Sequence, residues 1–156
     1  MKGECSLTFY KLCEPGKMNR APENFKIPEF NCKCENPLCD GKISRNEQYR
    51  KNFYLSNPIL FVLQFVRYLT GEPVIISSGT RCIIHNFVEK GKENSFHLPN
   101  SEGNIIAADF RIPTKFKILV TGMLNIFQKL DFIPYYYIIL ETGVFCWIHI
   151  QSERRV

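Results

Sequence analysis

The order of strand-like and helical patterns in the second half of the chain is the feature that most constrains its fold. Residues 104–112, 134–141 and 144–150 are rich in β-branched and aromatic side chains, and Thr142-Gly143 separates the last two runs. This arrangement predicts a β-hairpin at the C-terminal end. Strands and helices do not alternate as regular βαβ units, so the sequence predicts an α+β fold with an antiparallel sheet.

Two longer helices are predicted by apolar side chains at helical spacing. The first begins after Asn57, with Pro58 in its first turn, and its apolar stripe ends before Gly71. The second is opened by Pro113-Thr114 and continues to about residue 130. A short strand over residues 74–77 and a short helix over residues 83–89, closed by Gly91, complete the prediction.

The length of 156 residues fits one compact domain with a single core. Proline and glycine interrupt residues 1–23, which we expect to be irregular, and residues 24–156 are predicted to form the single domain. A net charge of +5 is spread along the chain, so we expect no nucleic acid partner, and we expect a monomer. No secretory signal is evident and the apolar runs are too short to span a bilayer, which indicates synthesis in the cytoplasm.

Seven cysteines are many for this length, and three of them cluster. Cys32, Cys34 and Cys39 form a C-x-C-x4-C pattern, with Cys82 as a candidate fourth member. The cluster fits a second, structural metal site or a disulfide cluster. Reduced thiols of a cytoplasmic protein are the competing interpretation.

Asp109 is the most informative polar residue, because the apolar residues 105–108 run directly into it. A buried carboxylate is costly unless it is paired, hydrogen-bonded or metal-bound. Two of the three histidines, His97 and His149, are candidate partners. Imidazole, carboxylate and imidazole can hold zinc and leave one coordination position open. Taken singly, each residue also fits a solvated or hydrogen-bonded role without metal.

Several ordered motifs resemble the zinc D-alanyl-D-alanine carboxypeptidases and their phage endopeptidase relatives. The motifs are SSGTRCIIHN at residues 77–86, SFH at 95–97, AADF at 107–110 and WIHI at 147–150, preceded by the NF…EF-x-C-x-C segment that starts at Asn24. The resemblance extends over roughly residues 24–151. It implies the hedgehog/DD-peptidase fold, with an antiparallel sheet flanked by helices.

The resemblance also implies roles for individual residues. His97, Asp109 and His149 match the zinc ligands of the family. Arg81 matches the residue that faces the substrate, with Ser78 as a helper, although a structural salt bridge is the alternative role for Arg81. Glu141 matches an acidic residue found in part of the family, and a general base there would take a proton from water and deliver one to the leaving amine.

This sequence departs from the family pattern at two places. The spacing from His97 to Asp109 is longer than usual, which we interpret as a loop insertion over residues 98–104. Many relatives carry the catalytic acid at the position occupied here by Cys146. His85, in the motif at residues 77–86, is interpreted as a structural group that supports a site without binding metal.

The resemblance therefore implies a zinc metallopeptidase that hydrolyses peptide bonds in peptidoglycan stem peptides or cross-links, as a carboxypeptidase or an endopeptidase. Without a signal peptide, it would reach the cell wall by release, as phage lysins do. One alternative is a zinc-holding, hedgehog-like binding domain that is weakly active or inactive. Another makes the cysteines the main metal site of an interaction module.

Overall fold

The computed structural model describes residues 24–39, 41–42, 58–98 and 106–153. The described part contains three α-helices, four strands and two short 3-10 turns. The helices are α1 (Pro58–Thr70), α2 (Ile83–Val88) and α3 (Lys117–Lys129); the strands are β1 (Ile75–Ser78), β2 (Ala107–Pro113), β3 (Tyr135–Glu141) and β4 (Phe145–Gln151); and the 3-10 turns are Ile27–Phe30 and Thr114–Phe116.

The four strands form one antiparallel sheet in the order β1-β2-β4-β3. This confirms the α+β class and the C-terminal hairpin predicted from the sequence. The register aligns Ser78 with Asp109, Asp109 with His149, and His149 with Tyr137. One row of four side chains therefore crosses the sheet from edge to edge. The predicted irregular segment over residues 1–23 lies outside the described residues.

The sheet has one apolar face and one polar face, because side chains alternate along each strand. The apolar face of β2 and β4 packs with α1 and α3 into the main core. Its fully buried side chains include Phe110, Ile112, Ile148 and Ile150 from the sheet and Ile59, Leu63 and Leu124 from the helices. The opposite face of the same two strands carries Asp109 and His149.

The start of α3 differs from the prediction. Pro113 is the last residue of β2, and a 3-10 turn precedes the helix, which begins at Lys117. The backbone N–H of Thr114 donates to the carbonyl of Val144, and its hydroxyl donates to the carbonyl of Thr142. These bonds hold Thr114 against the β3–β4 hairpin. The helix therefore begins about one helical turn later than predicted.

The N-terminal 3-10 turn packs closely against the end of β1. The N–H of Thr80 donates to the carbonyl of Phe30 at 2.8 Å, and a side chain at Gly79 would come within 2.6 Å of the Phe30 backbone. Glycine is therefore needed at position 79 for the two segments to meet. None of the helices in the described residues is long and apolar enough to cross a membrane.

Candidate metal centre

His97, Asp109 and His149 converge on the polar face of the sheet. Asp109 Oδ1 lies 2.7 Å from His149 Nδ1 and 3.2 Å from His97 Nε2. One ligand atom from each of the three residues lies within 4.8 Å of the other two. All three residues are buried, with exposed fractions of 6%, 8% and 4% respectively. The three residues thus form a compact, buried donor set of the kind that one metal ion can bridge.

The orientation of His97 is fixed by the backbone. Its Nδ1 lies 2.6 Å from the carbonyl oxygen of Gly79. Because a carbonyl only accepts hydrogen bonds, Nδ1 carries a proton, and Nε2 is the nitrogen that faces Asp109. The carbonyl of His97 in turn accepts a 2.6 Å hydrogen bond from the N–H of Arg81. The turn after β1 therefore holds both the imidazole and the backbone of His97 by hydrogen bonds.

The orientation of His149 is fixed by Gln151, which follows it on the same face of β4. The amide nitrogen of Gln151 donates to the carbonyl of Glu153 at 2.8 Å, which leaves its oxygen Oε1 as an acceptor. That oxygen lies 3.2 Å from His149 Nε2. Because an amide oxygen only accepts hydrogen bonds, His149 Nε2 donates to Gln151, and Nδ1 is the nitrogen that faces Asp109. The Tyr137 ring stacks on the imidazole, with centroids 4.7 Å apart.

Asp109 is held in the ionised form that metal binding needs. Burial opposes its ionisation, but the contacts with His149 and His97 outweigh burial and lower the pKa of the Asp109 carboxyl below its usual range. Its second oxygen, Oδ2, accepts from Arg81 at 3.3 Å. Oδ1 is thus left to face both histidines.

Arg81 and Ser78 lie beside the three candidate ligands. Arg81 donates from Nε to the hydroxyl of Ser78 at 3.0 Å and from its terminal nitrogen to Asp109. The structure therefore shows the salt bridge that was the alternative role for Arg81. Its guanidinium has five N–H donors, so these two bonds leave further donors on the guanidinium.

Glu141 does not lie near the other predicted site residues. It stands opposite Cys146, roughly 10 Å along β4 from His149 at ~3.3 Å per residue. Directly opposed residues share a face, and Cys146 belongs to the core face, so Glu141 is on the other side of the sheet from Asp109. There it forms an ion pair with Lys117 of α3. The expected proximity of Glu141 to the metal was wrong, because the register shift between Ile138 and Leu140 moves it from the face of Tyr137 to the helix side of the sheet.

A second group of potential ligands lies beside this centre. Cys32, Cys34, Cys39 and Cys82 bring their sulfur atoms within 4.8 Å of one another. All four are free thiols. Hydrogen bonding from Cys39 lowers the pKa of Cys34 to about 7, whereas burial raises the pKa of Cys32 and Cys39. His85 Nδ1 lies 3.1 Å from the Cys32 sulfur, so His85 contacts this group and not the three candidate ligands on the sheet.

The sequence patterns missed the groups that orient the histidines. The Gly79 carbonyl leaves no signal in the sequence. Gln151 left a weak one, since it shares a strand face with His149. Tyr137 was detectable only once the register of the hairpin was known.

Two imidazoles and one carboxylate whose ligand atoms converge are a donor set found in zinc hydrolases. A family model described as Peptidase M15 matches residues 23–137, and the chain belongs to this family. The match confirms the resemblance and indicates a zinc-dependent hydrolase that acts on peptides. It covers the cysteines of the second group, Arg81, His97 and Asp109, and it ends within β3, before His149. No curated protein and no solved structure matches the chain.

Proposed function

We propose that this protein is a zinc metallopeptidase that hydrolyses peptide bonds in peptidoglycan stem peptides or cross-links. The observation that carries the proposal is the position of Asp109 Oδ1, which faces one imidazole nitrogen from each histidine at 2.7 and 3.2 Å. Membership of the Peptidase M15 family supports hydrolysis of a peptide bond. The substrate class rests on the resemblance to the D-alanyl-D-alanine carboxypeptidases.

The residues present fit a single zinc ion. His97, Asp109 and His149 supply three ligands, and a catalytic site of this type keeps its fourth position open. When bound, zinc polarises the scissile carbonyl and lowers the pKa of water towards ~7, which supplies a nucleophile at neutral pH. The Gly79 carbonyl and the Gln151 amide keep the two imidazoles in the tautomers that this arrangement requires.

Arg81 has two tasks in the proposed enzyme. It holds Oδ2 of Asp109, so that the carboxylate presents a single oxygen to the metal. Its remaining N–H groups are available to a carboxylate of the substrate, such as the terminus of a stem peptide, with Ser78 fixing the guanidinium. The placement of Glu141 does not support its role as general base, so the proposal assigns no step to it.

The test measures zinc content and product release in parallel. Wild-type protein is incubated with purified peptidoglycan, and free D-alanine and stem fragments are identified by mass spectrometry. We expect cleavage by the wild type, which separates carboxypeptidase from endopeptidase by its products, and none by His149→Ala, which also loses one zinc ion. Stoichiometric zinc in the wild type without any cleavage would contradict the enzyme and establish a metal-holding binding domain.

A further inference from the structure

The four-cysteine group has the geometry of a closed metal site. The Cys34 and Cys82 sulfurs are 3.8 Å apart. In a regular tetrahedron with Zn–S bonds of ~2.3 Å, the sulfur atoms are about 3.8 Å apart. A disulfide needs a separation of ~2.05 Å. The Cys34–Cys82 pair therefore has the spacing of two ligands of one ion, and all four sulfurs lie within 4.8 Å of one another.

Backbone N–H groups and a lysine surround the four sulfurs and would stabilise thiolates around a bound cation. The N–H of Cys82 donates to the Cys32 sulfur at 3.4 Å, and the N–H of His85 donates to the Cys82 sulfur at 3.3 Å. The Lys42 ammonium lies against the same loop, where it donates to the carbonyls of Cys32 and Cys34 at 2.5 and 2.6 Å. Four thiolates around a divalent cation carry a net negative charge, which these donors and this cation offset.

The backbone is shaped to bring the four sulfurs together. A side chain at Gly41 would come within 2.7 Å of the Cys32 β-carbon and 2.9 Å of the Cys82 nitrogen. The N–H of Cys32 also donates to the Gly41 carbonyl at 2.8 Å, which closes the loop that carries three of the cysteines. Only glycine at position 41 lets this loop lie directly on the turn at Cys82.

We propose that Cys32, Cys34, Cys39 and Cys82 bind a second, structural zinc ion that fastens the N-terminal loop to the Arg81–Cys82 turn. Each thiol that binds loses its proton to solvent, and four protein ligands leave no open position for chemistry. His85 supports the site by contacting the Cys32 sulfur. The ion would fix the turn that supplies Arg81, Gly79 and their contacts to Asp109 and His97.

The first test counts zinc in the full chain, purified with a reductant, by elemental analysis and native mass spectrometry. We expect two zinc ions in the wild type and one in Cys34→Ser. Cys34 is the half-buried member of the group, so this change disturbs packing least. Unchanged zinc content in Cys34→Ser, or a native mass that shows a disulfide in place of the metal, would overturn the proposal.

The two metal sites are distinguished by a crossed design. The double variant with His97→Ala and His149→Ala should keep one zinc ion. The triple variant that also carries Cys34→Ser should bind none. If the histidine variants hold as much zinc as the wild type while Cys34→Ser holds less, the catalytic proposal fails and the cysteine site stands. If Cys34→Ser holds as much zinc as the wild type while the histidine variants hold less, the cysteine site fails and the catalytic proposal stands.

Cobalt substitution reports the ligand type directly. The wild type and the double histidine variant should show strong thiolate-to-cobalt charge-transfer absorption, which Cys34→Ser reduces. Cys34→His should keep the metal with a changed spectrum, because three cysteines and one histidine are also a structural zinc set. Cys146→Ala is the matched control, since Cys146 is a free buried cysteine on the core face. A purely packing role for Cys34 predicts no cobalt–thiolate band in any of these proteins.

Discussion

At the residue scale, the candidate catalytic centre is defined by hydrogen bonds that fix where each proton resides. Asp109 has one oxygen for the two histidines and one for Arg81, and each imidazole gives its other nitrogen to an acceptor. These acceptors do not touch the metal position themselves. Groups of this kind set the direction and basicity of the ligand, so their removal weakens metal binding while the ligands remain.

Gln151 offers the clearest test of this arrangement. Gln151→Leu removes the acceptor for His149 Nε2, and we expect zinc affinity at this centre to fall ~10–100-fold. Gln151→Glu keeps an acceptor oxygen at the same place and should retain most of the affinity. Competition against a chromophoric chelator measures both, with Cys34→Ser as the background so that a single site is titrated. Equal affinities for the two variants would show that Gln151 does not position His149.

At the element scale, the hairpin decides which carboxylates can take part in chemistry. The register shift between Ile138 and Leu140 puts Glu141 on the face opposite to that of His149, and Glu141 pairs with Lys117 on α3. The two faces of the hairpin therefore serve different purposes. The polar face of the sheet holds the candidate ligands, and the apolar face anchors the helices.

Glu141→Gln should therefore change stability slightly and cleavage hardly at all. Loss of a partly exposed ion pair is expected to lower the unfolding free energy only slightly, because solvent screens the two charges. Rates of peptidoglycan cleavage should stay within about twofold of wild type, since a group on the far face cannot exchange protons with a substrate at Asp109. A loss of ~100-fold or more, with unchanged zinc content and an unchanged urea midpoint, would restore Glu141 as the general base.

The contact between the N-terminal 3-10 turn and the end of β1 gives a second test at this scale. Gly79→Ala places a β-carbon 2.6 Å from the backbone of Phe30, so the two segments must separate. We expect a loss of about 1–3 kcal/mol in urea unfolding, together with weaker zinc binding through His97. Gly122→Ala in α3 is the matched control, because open space surrounds that position, and helix propensity predicts a gain of about 1 kcal/mol.

The elements were largely predictable from the sequence, and the site was predictable only in part. The spacing of apolar residues predicted α1, the hairpin and the antiparallel class. Burial of one face of a helix or strand requires that spacing, so the sequence shows it directly. The order of the motifs along the chain predicted the residues that converge at Asp109. Glu141 was misplaced because the sequence does not reveal the register shift between Ile138 and Leu140, and one residue of register changes the face. Gly79 contributes a carbonyl, which no side-chain pattern reveals.

At the scale of the whole molecule, the two metal sites are linked through one short stretch of chain. Residues 79–82 supply the acceptor for His97, the guanidinium beside Asp109 and the fourth cysteine. The N-terminal loop reaches this stretch through Phe30 and through the cysteines. A structural ion there would stabilise the folded domain and pre-organise the catalytic centre at the same time.

Removal of the structural ion should therefore lower the stability of the whole domain. Zinc that binds only the folded state adds about 4 kcal/mol when its free concentration is 1,000 times Kd. For a chain of this length, each kcal/mol corresponds to ~2–4 °C in Tm, so we expect Cys34→Ser to melt ~8–16 °C below the wild type. Differential scanning calorimetry in zinc-buffered solution measures this shift.

The same ion also predicts a reciprocal coupling between the two sites. Emptying the cysteine site loosens the stretch that orients His97 and Arg81, so Cys34→Ser should bind zinc more weakly at the histidine centre. Reversible binding at one common pair of sites requires equal coupling in both directions, so the double histidine variant should lose cobalt affinity at its cysteine site by a similar factor. Competition against a chromophoric chelator measures both losses. A much larger loss in Cys34→Ser would show that this substitution disturbs the shared stretch itself, and no loss in either variant would show that the two sites are independent.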